Sequence, residues 1–139
     1  MKNLIIILVL TMIASGFTLG YMMYNKPHVN VSKEKIDLTA NVDALVYDFQ
    51  NDQETAIRKY ADKIILLSGK YLSSSQQENH LITMIIEGDQ SLANCEMDTL
   101  YTKKLPAFSP GDNVSIKGLF VGYDGLLDEI QLKKCLVVN

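Results

Sequence analysis

A chain of 139 residues falls in the single-domain range, and a hydrophobic content of 47% is ordinary for a protein that buries a core, so intrinsic disorder is excluded. Its 13 basic side chains are outnumbered by 16 acidic ones, for a net charge of −3. That balance argues against a protein whose affinity comes from phosphate contacts.

Between Lys2 and Lys26 there is no charged residue, and "LIIILVLTMIASGFTLGYMMY" is almost wholly apolar. A bilayer core of about 30 Å needs roughly 20 such residues. Met1-Lys2-Asn3 resembles the basic start of a signal peptide, and Ala14-Ser15-Gly16 offers a small-residue cleavage site. The apolar run continues through Leu19 to Tyr24, longer than a cleaved signal requires, and Tyr21 and Tyr24 beside Lys26 suit a membrane interface. Residues 1–25 therefore read as an uncleaved transmembrane anchor, with signal cleavage and secretion as the alternative. No cysteine precedes Cys95, which excludes a lipoprotein signal. Lys26, Lys33 and Lys35, set against Lys2, would on a positive-inside count leave the rest of the chain in the cytoplasm. The signal-like start favours export instead. After the run, 12 basic residues face 16 acidic ones, a net charge of −4.

Residues 26–36 form a polar linker with Pro27 near its start, and His28 is a solvated residue within it. A domain of residues 37–139 follows. From Asp37 the pattern turns helical: Val42, Leu45, Val46 and Phe49 recur at the spacing of one helix face. Asp37 or Thr39 can cap this helix, and Asp43 suits its first turn. Asn51-Asp52 interrupts it, and Ala56, Ile57 and Tyr60 extend an apolar face into a short second piece. Core packing is the expected role of this face, with a partner-binding groove helix as the sharper option.

Everything after Asp62 reads as strand. "KIILLSGKYLSSS" carries Gly69, which marks a bulge or bend. "ENHLITMIIEG" puts Ile82, Met84 and Ile86 on one face, and "SLANCEMD" does the same with Ala93, Cys95 and Met97. Glu87-Gly88-Asp89 is a hairpin turn. A longer connection ends in a Pro110-Gly111-Asp112 turn. "NVSIKGLFVG" alternates, and after "YDG" a last strand runs from about Leu127 to Val137. A helix followed by five strands, with the longest crossover between the third and fourth, predicts a mainly β, five-stranded barrel.

Several motifs in this order resemble the tRNA-anti-like family of bacterial OB-fold proteins. Ala56, Lys59, Tyr60 and Lys63 match a loose helix-end pattern, followed by Ser68-Gly69-Lys70 and by the cysteine-bearing strand "NCEMD". Gly111, Asp112, Val114, Ile116, Lys117 and Gly118 fit a fourth-strand motif, and a last strand with cysteine closes the set. The resemblance covers roughly the last 100 residues and implies an OB fold while saying little about function. The chain lacks a further cysteine that many relatives carry in the fourth strand, where it reads Leu119-Phe120, and it lacks the lipobox of lipoprotein relatives. Tethering would then fall to the N-terminal run, in a bacterial cell membrane with the domain facing the periplasm or cell exterior.

In the OB barrel that the resemblance implies, strands three and five are neighbours, which places Cys95 near Cys135. Two cysteines in an exported domain usually bridge, so a Cys95–Cys135 disulfide is expected, with two buried thiols as the alternative. Counting by twos from Ile130 and Leu132 leaves Cys135 on the wrong face, and a bulge at Lys133-Lys134 would restore its parity.

No nucleophile-elbow, zincin, Walker or dinucleotide motif is present. His80, the only histidine of the domain, reads as a strand residue among apolar neighbours with a structural or surface role, and neither catalysis, cofactor nor metal is expected. OB barrels bind along strands two and three and their flanking loops. The basic and aromatic candidates for such a surface are Lys70, Tyr71, Tyr101, Lys103, Lys104, Phe108 and Lys117. Strands two and three themselves carry Glu78, Glu87, Glu96 and Asp98. The expected function is thus a non-catalytic, membrane-tethered module for an envelope partner or small ligand, with single-stranded nucleic-acid binding as the alternative.

Overall fold

The computed structural model describes residues 30–77, 80–101 and 105–138, together with residues 12, 15, 16, 18 and 21. The anchor expected over 1–25 lies largely outside the described residues, and His28, Glu78, Lys103 and Lys104 lie wholly outside them. Among the described residues no helix is long and apolar enough to cross a membrane.

Within residues 30–138 the first regular element is a strand rather than the expected helix. β1 (Leu38–Asn41) runs parallel to the start of β2 (Ile64–Gln76), from Leu38 opposite Ile65 to Asn41 opposite Ser68. Asp37 anchors this pairing: its amide donates to the Ile64 carbonyl, and its carboxylate accepts from the Ile64 amide at 2.8 Å. Asp37 and Thr39 are thereby withdrawn from capping, and Asn41 takes that role, accepting from Ala44 N at 2.7 Å. Helix α1 (Val42–Asn51) buries Val42, Leu45, Val46 and Phe49, the predicted face. Asp52 ends α1 by donating its amide to the Asp48 carbonyl, and it starts α2 (Gln53–Tyr60) by accepting from Thr55 N.

Five strands then close on themselves. The first half of β2 pairs with β5 (Asn113–Asp124) and its second half with β3 (Ile82–Glu87). β3 pairs with β4 (Leu92–Met97), β4 lies parallel to β6 (Glu129–Val138), and β6 returns antiparallel to β5. This closed path, with a parallel pair between its third and fifth strands, is the OB-barrel topology that the resemblance implies.

Alternate side chains from every strand fill the interior: Ile65 and Leu67, Met84 and Ile86, Ala93 and Cys95, Val114 and Ile116, Ile130 and Leu132. Gly69 makes no bulge. A Cβ there would lie 2.8 Å from the Glu87 carbonyl and 3.0 Å from Val42, so its bareness allows the strand and helix to close in. The bulge in β2 falls three residues later, between Tyr71 and Ser73. In β6 the expected bulge is present. Lys134 has φ 53°, the register shifts there, and Cys135 turns inward to 0% exposure.

The expected disulfide is not formed: Cys95 and Cys135 are free, buried thiols. The parallel register sets Cys95 against Leu132 and Met97 against Cys135, so the bulge offsets the two cysteines along the strands. Burial, and then the hydrogen bond between the two thiols, pushes the Cys135 thiol well above its usual range.

Helix α1 closes one end of the barrel. Phe49 stacks on Tyr60, Phe120 and Tyr123 with ring centroids 5.0–5.9 Å apart. At the N-terminal end of the helix, the Asp43 carboxylate accepts from the amides of Asp89 (2.7 Å) and Gln90 (3.2 Å) in the β3–β4 turn. Near the other end Gln50 donates to Asp128 in the β5–β6 turn.

Candidate ligand-binding face

With the interior apolar and one end closed by α1, the outward-facing positions of β3 and β4 correspond to the face of strands two and three on which OB barrels bind, and β6 lies beside β4. Strand register arranges these positions in rows across the strands. One row runs Ser73, Ile85, Asn94, Gln131, and a second runs Ser75, Thr83, Glu96. Lys133 extends the second row and lies 3.9 Å from the Glu96 carboxylate. A hollow of about 340 Å³ sits over both rows, floored chiefly by Ser75, Thr83, Ile85, Asn94 and Gln131. Among the described residues its two charged groups, Glu96 and Lys133, oppose each other, and its lining holds neither aromatic ring nor arginine. Arg58, the chain's one arginine, is on α2 beside Glu54.

The sequence-derived candidates do not converge on this hollow. Lys70 is exposed and lines a separate hollow of about 370 Å³ near the start of α1, with Asp43, Glu87 and Asp89 among its neighbours. Tyr71 points into the core, 9% exposed, and meets Phe108 at 5.5 Å. Its backbone is clasped by Gly111 N and by the Asp112 carbonyl, so this pair packs the β4–β5 crossover onto the barrel. Tyr101 donates to the Ser32 hydroxyl at 2.6 Å. Lys117 is only 9% exposed, and its ammonium donates to the Glu34 carbonyl. Tyr71 and Phe108 thus pack against each other, and Lys117 is covered by the segment before β1. His80 is exposed in the β2–β3 loop with φ 62°.

Sequence reasoning passed over Thr83, Asn94 and Gln131. Their signal was the polar half of the period-two pattern, which marks a residue as outward without saying which others stand beside it. The carboxylates with shifted acidity are at the helix-capped end instead. Burial raises Asp43, but hydrogen bonds from Asp89, Gln90 and Ser91 outweigh it and hold the group below the usual carboxylate range. Asp48 is held low by hydrogen bonds from Lys59 and Tyr60. Among the described residues no cluster of histidine, cysteine or carboxylate side chains could hold a metal.

The chain belongs to the tRNA_anti-like family, whose model matches residues 1–136. No curated protein sequence matches it. It is similar in structure to a lipoprotein of Klebsiella pneumoniae proposed to bind nucleic acid, at TM-score 0.61 and 15% identity over 82% of this chain and 100% of that one. A proposed aspartyl-tRNA synthetase of Leishmania major gives TM-score 0.47 and 14% identity, covering 82% of this chain and 23% of its own. Yeast Stn1 and Ten1 give 0.46 and 16%, covering 77% and 65%. At these identities the likeness extends to the fold.

Proposed function

We propose that this member of the tRNA_anti-like family is a non-catalytic binding module. Its N-terminal run tethers it to a bacterial cell membrane, and its barrel, on the periplasmic or outer side, holds an envelope partner or a small ligand. The observation that carries this reading is the hollow of about 340 Å³ across β3, β4 and β6, which presents hydroxyls and amides and no unpaired charge. Glu96 and Lys133, its charged groups among the described residues, face each other at 3.9 Å. With both cysteines as free thiols, export rests on the signal-like, uncharged N-terminal run rather than on a disulfide.

Single-stranded nucleic acid is the second reading, supported by the proposed role of the Klebsiella lipoprotein of the same fold. Such ligands need cationic tracks and stacking rings, and the hollow supplies neither. Labelled oligonucleotide titrated at low and high salt separates the two. Weak binding with little salt dependence is expected, and tight binding that falls steeply with salt would establish the second reading. Membrane fractionation and the mass of the mature protein test the tether. The expected outcome is a membrane-bound chain that keeps its first 16 residues, and a soluble, shortened chain would replace the anchor with a cleaved signal.

A further inference from the structure

Accepting the β3–β4–β6 hollow as the binding face, we infer that its ligand is an uncharged glycan of N-acetylated amino sugars. Sugar hydroxyls donate and accept at once, and they are best met by side chains that do the same. Ser75 does so with an exposed hydroxyl and Asn94 and Gln131 with amides, while the Thr83 hydroxyl, 8% exposed, lies at the floor between them. The two rows lie about 7 Å apart along the strands, so a sugar lying between them meets hydrogen-bonding groups on both sides. A polyanion would gain nothing here. The one cation, Lys133, is paired with Glu96, and that carboxylate would repel phosphate or sulfate.

Ile85 narrows the class. It stands opposite Asn94 in the strand register and is the more exposed of the two apolar lining residues, Leu132 being 1% exposed. An acetamido substituent has this pairing of needs: its methyl group seeks an apolar surface while its N–H and C=O need an amide partner. A plain glucan can lay only ring C–H groups on Ile85 and has no amide to pair with Asn94.

The test titrates the isotope-labelled full chain, held in detergent, with chitotetraose, cellotetraose, an oligothymidylate and an uncharged peptide, following backbone amide resonances. Chitotetraose is expected to shift Thr83, Asn94 and Gln131 with equal affinity at low and high salt. Asn94→Ala and Gln131→Ala should each weaken it about five- to tenfold, the worth of one good hydrogen bond. Cellotetraose, which lacks the acetamido groups, should bind about fivefold more weakly, and Ile85→Ser should abolish that difference. Equal binding of the two sugars overturns the acetamido assignment. Movement of the same resonances by the oligothymidylate or the peptide, and not by sugar, overturns the glycan while keeping the face as a binding site. If no probe moves them, both the ligand class and the face are wrong.

Discussion

Asp43, in the first turn of α1, holds the helix to the β3–β4 turn through the Asp89 and Gln90 amides, and Gly88 makes room for it. A Cβ at position 88 would stand 2.3–2.4 Å from the Asp43 carboxylate, closer than atoms can pack. Gly88→Ala must push the carboxylate off its two donors, and a loss of about 1–3 kcal/mol is expected in urea unfolding. Asp43→Asn should cost a similar amount, and the double variant less than the sum, because both break one contact. Full additivity would show that Gly88 acts elsewhere. The cysteines are read at the same level of detail. Each is 0% exposed, and only the thiolate is an effective nucleophile. Both should stay unmodified by a thiol reagent in the native state and react on unfolding, whereas a bridge formed in the cell would leave neither reactive after unfolding. Cys135→Ser buries a hydroxyl where a thiol packs and should destabilise by about 1–3 kcal/mol.

Helix α1 ties together elements far apart in the chain. Phe49 contacts rings from α2 and β5, so the barrel end and both helices share one aromatic cluster. Phe49→Ala should cost about 3–5 kcal/mol and reduce cooperativity, seen as noncoincident helix and strand signals during unfolding. Coincident transitions with a loss under about 1 kcal/mol would mean the helix is dispensable to the barrel. The helix face was legible because a 3.6-residue period needs only local sequence, and the barrel was legible from strand count and alternation. The bulge in β6 could be read because Ile130, Leu132 and Cys135 fall out of step, and only an extra residue restores an inward cysteine. β1 could not be read. Four residues beside a helix carry too little pattern, and their pairing depends on Ile65 to Ser68, which lie 27 residues further on. The candidate face escaped for a related reason. Alternation marks Ile85, Asn94 and Gln131 as outward, but only cross-strand register makes them neighbours. Lysines and aromatics drew attention instead, although Lys117 and Tyr71 are consumed by packing.

The molecule's stability should follow pH as a plateau with two falling limbs, each traceable to named groups. On the acid side, Asp43 and Asp48 have folded values below the ordinary carboxylate value of about 3.9. Their contribution is complete above that value and is lost as pH falls through the folded values, since the unfolded chain takes up protons first. On the alkaline side the sign reverses. Burial, with the nearby carboxylate of Asp48, raises the Tyr60 phenol. Burial and the hydrogen bond to Asp128 raise Tyr123, and burial raises the Cys135 thiol. Their contribution is complete below the unfolded values, about 8.5 for the thiol and about 10 for the phenols, and is lost as pH climbs toward the folded ones. Urea unfolding between acid and alkaline pH should therefore give greatest stability from about pH 5 to 8. Asp43→Asn should lower the plateau and flatten the acid limb while leaving the alkaline one. Cys135→Ala should remove the part of the alkaline decline that begins near pH 8.5, about 1.5 units before the phenols contribute. If the variants and the parent chain lose stability in parallel at both extremes, the limbs arise from overall charge repulsion, and the buried thiol and the Asp43 carboxylate are not the groups that set them.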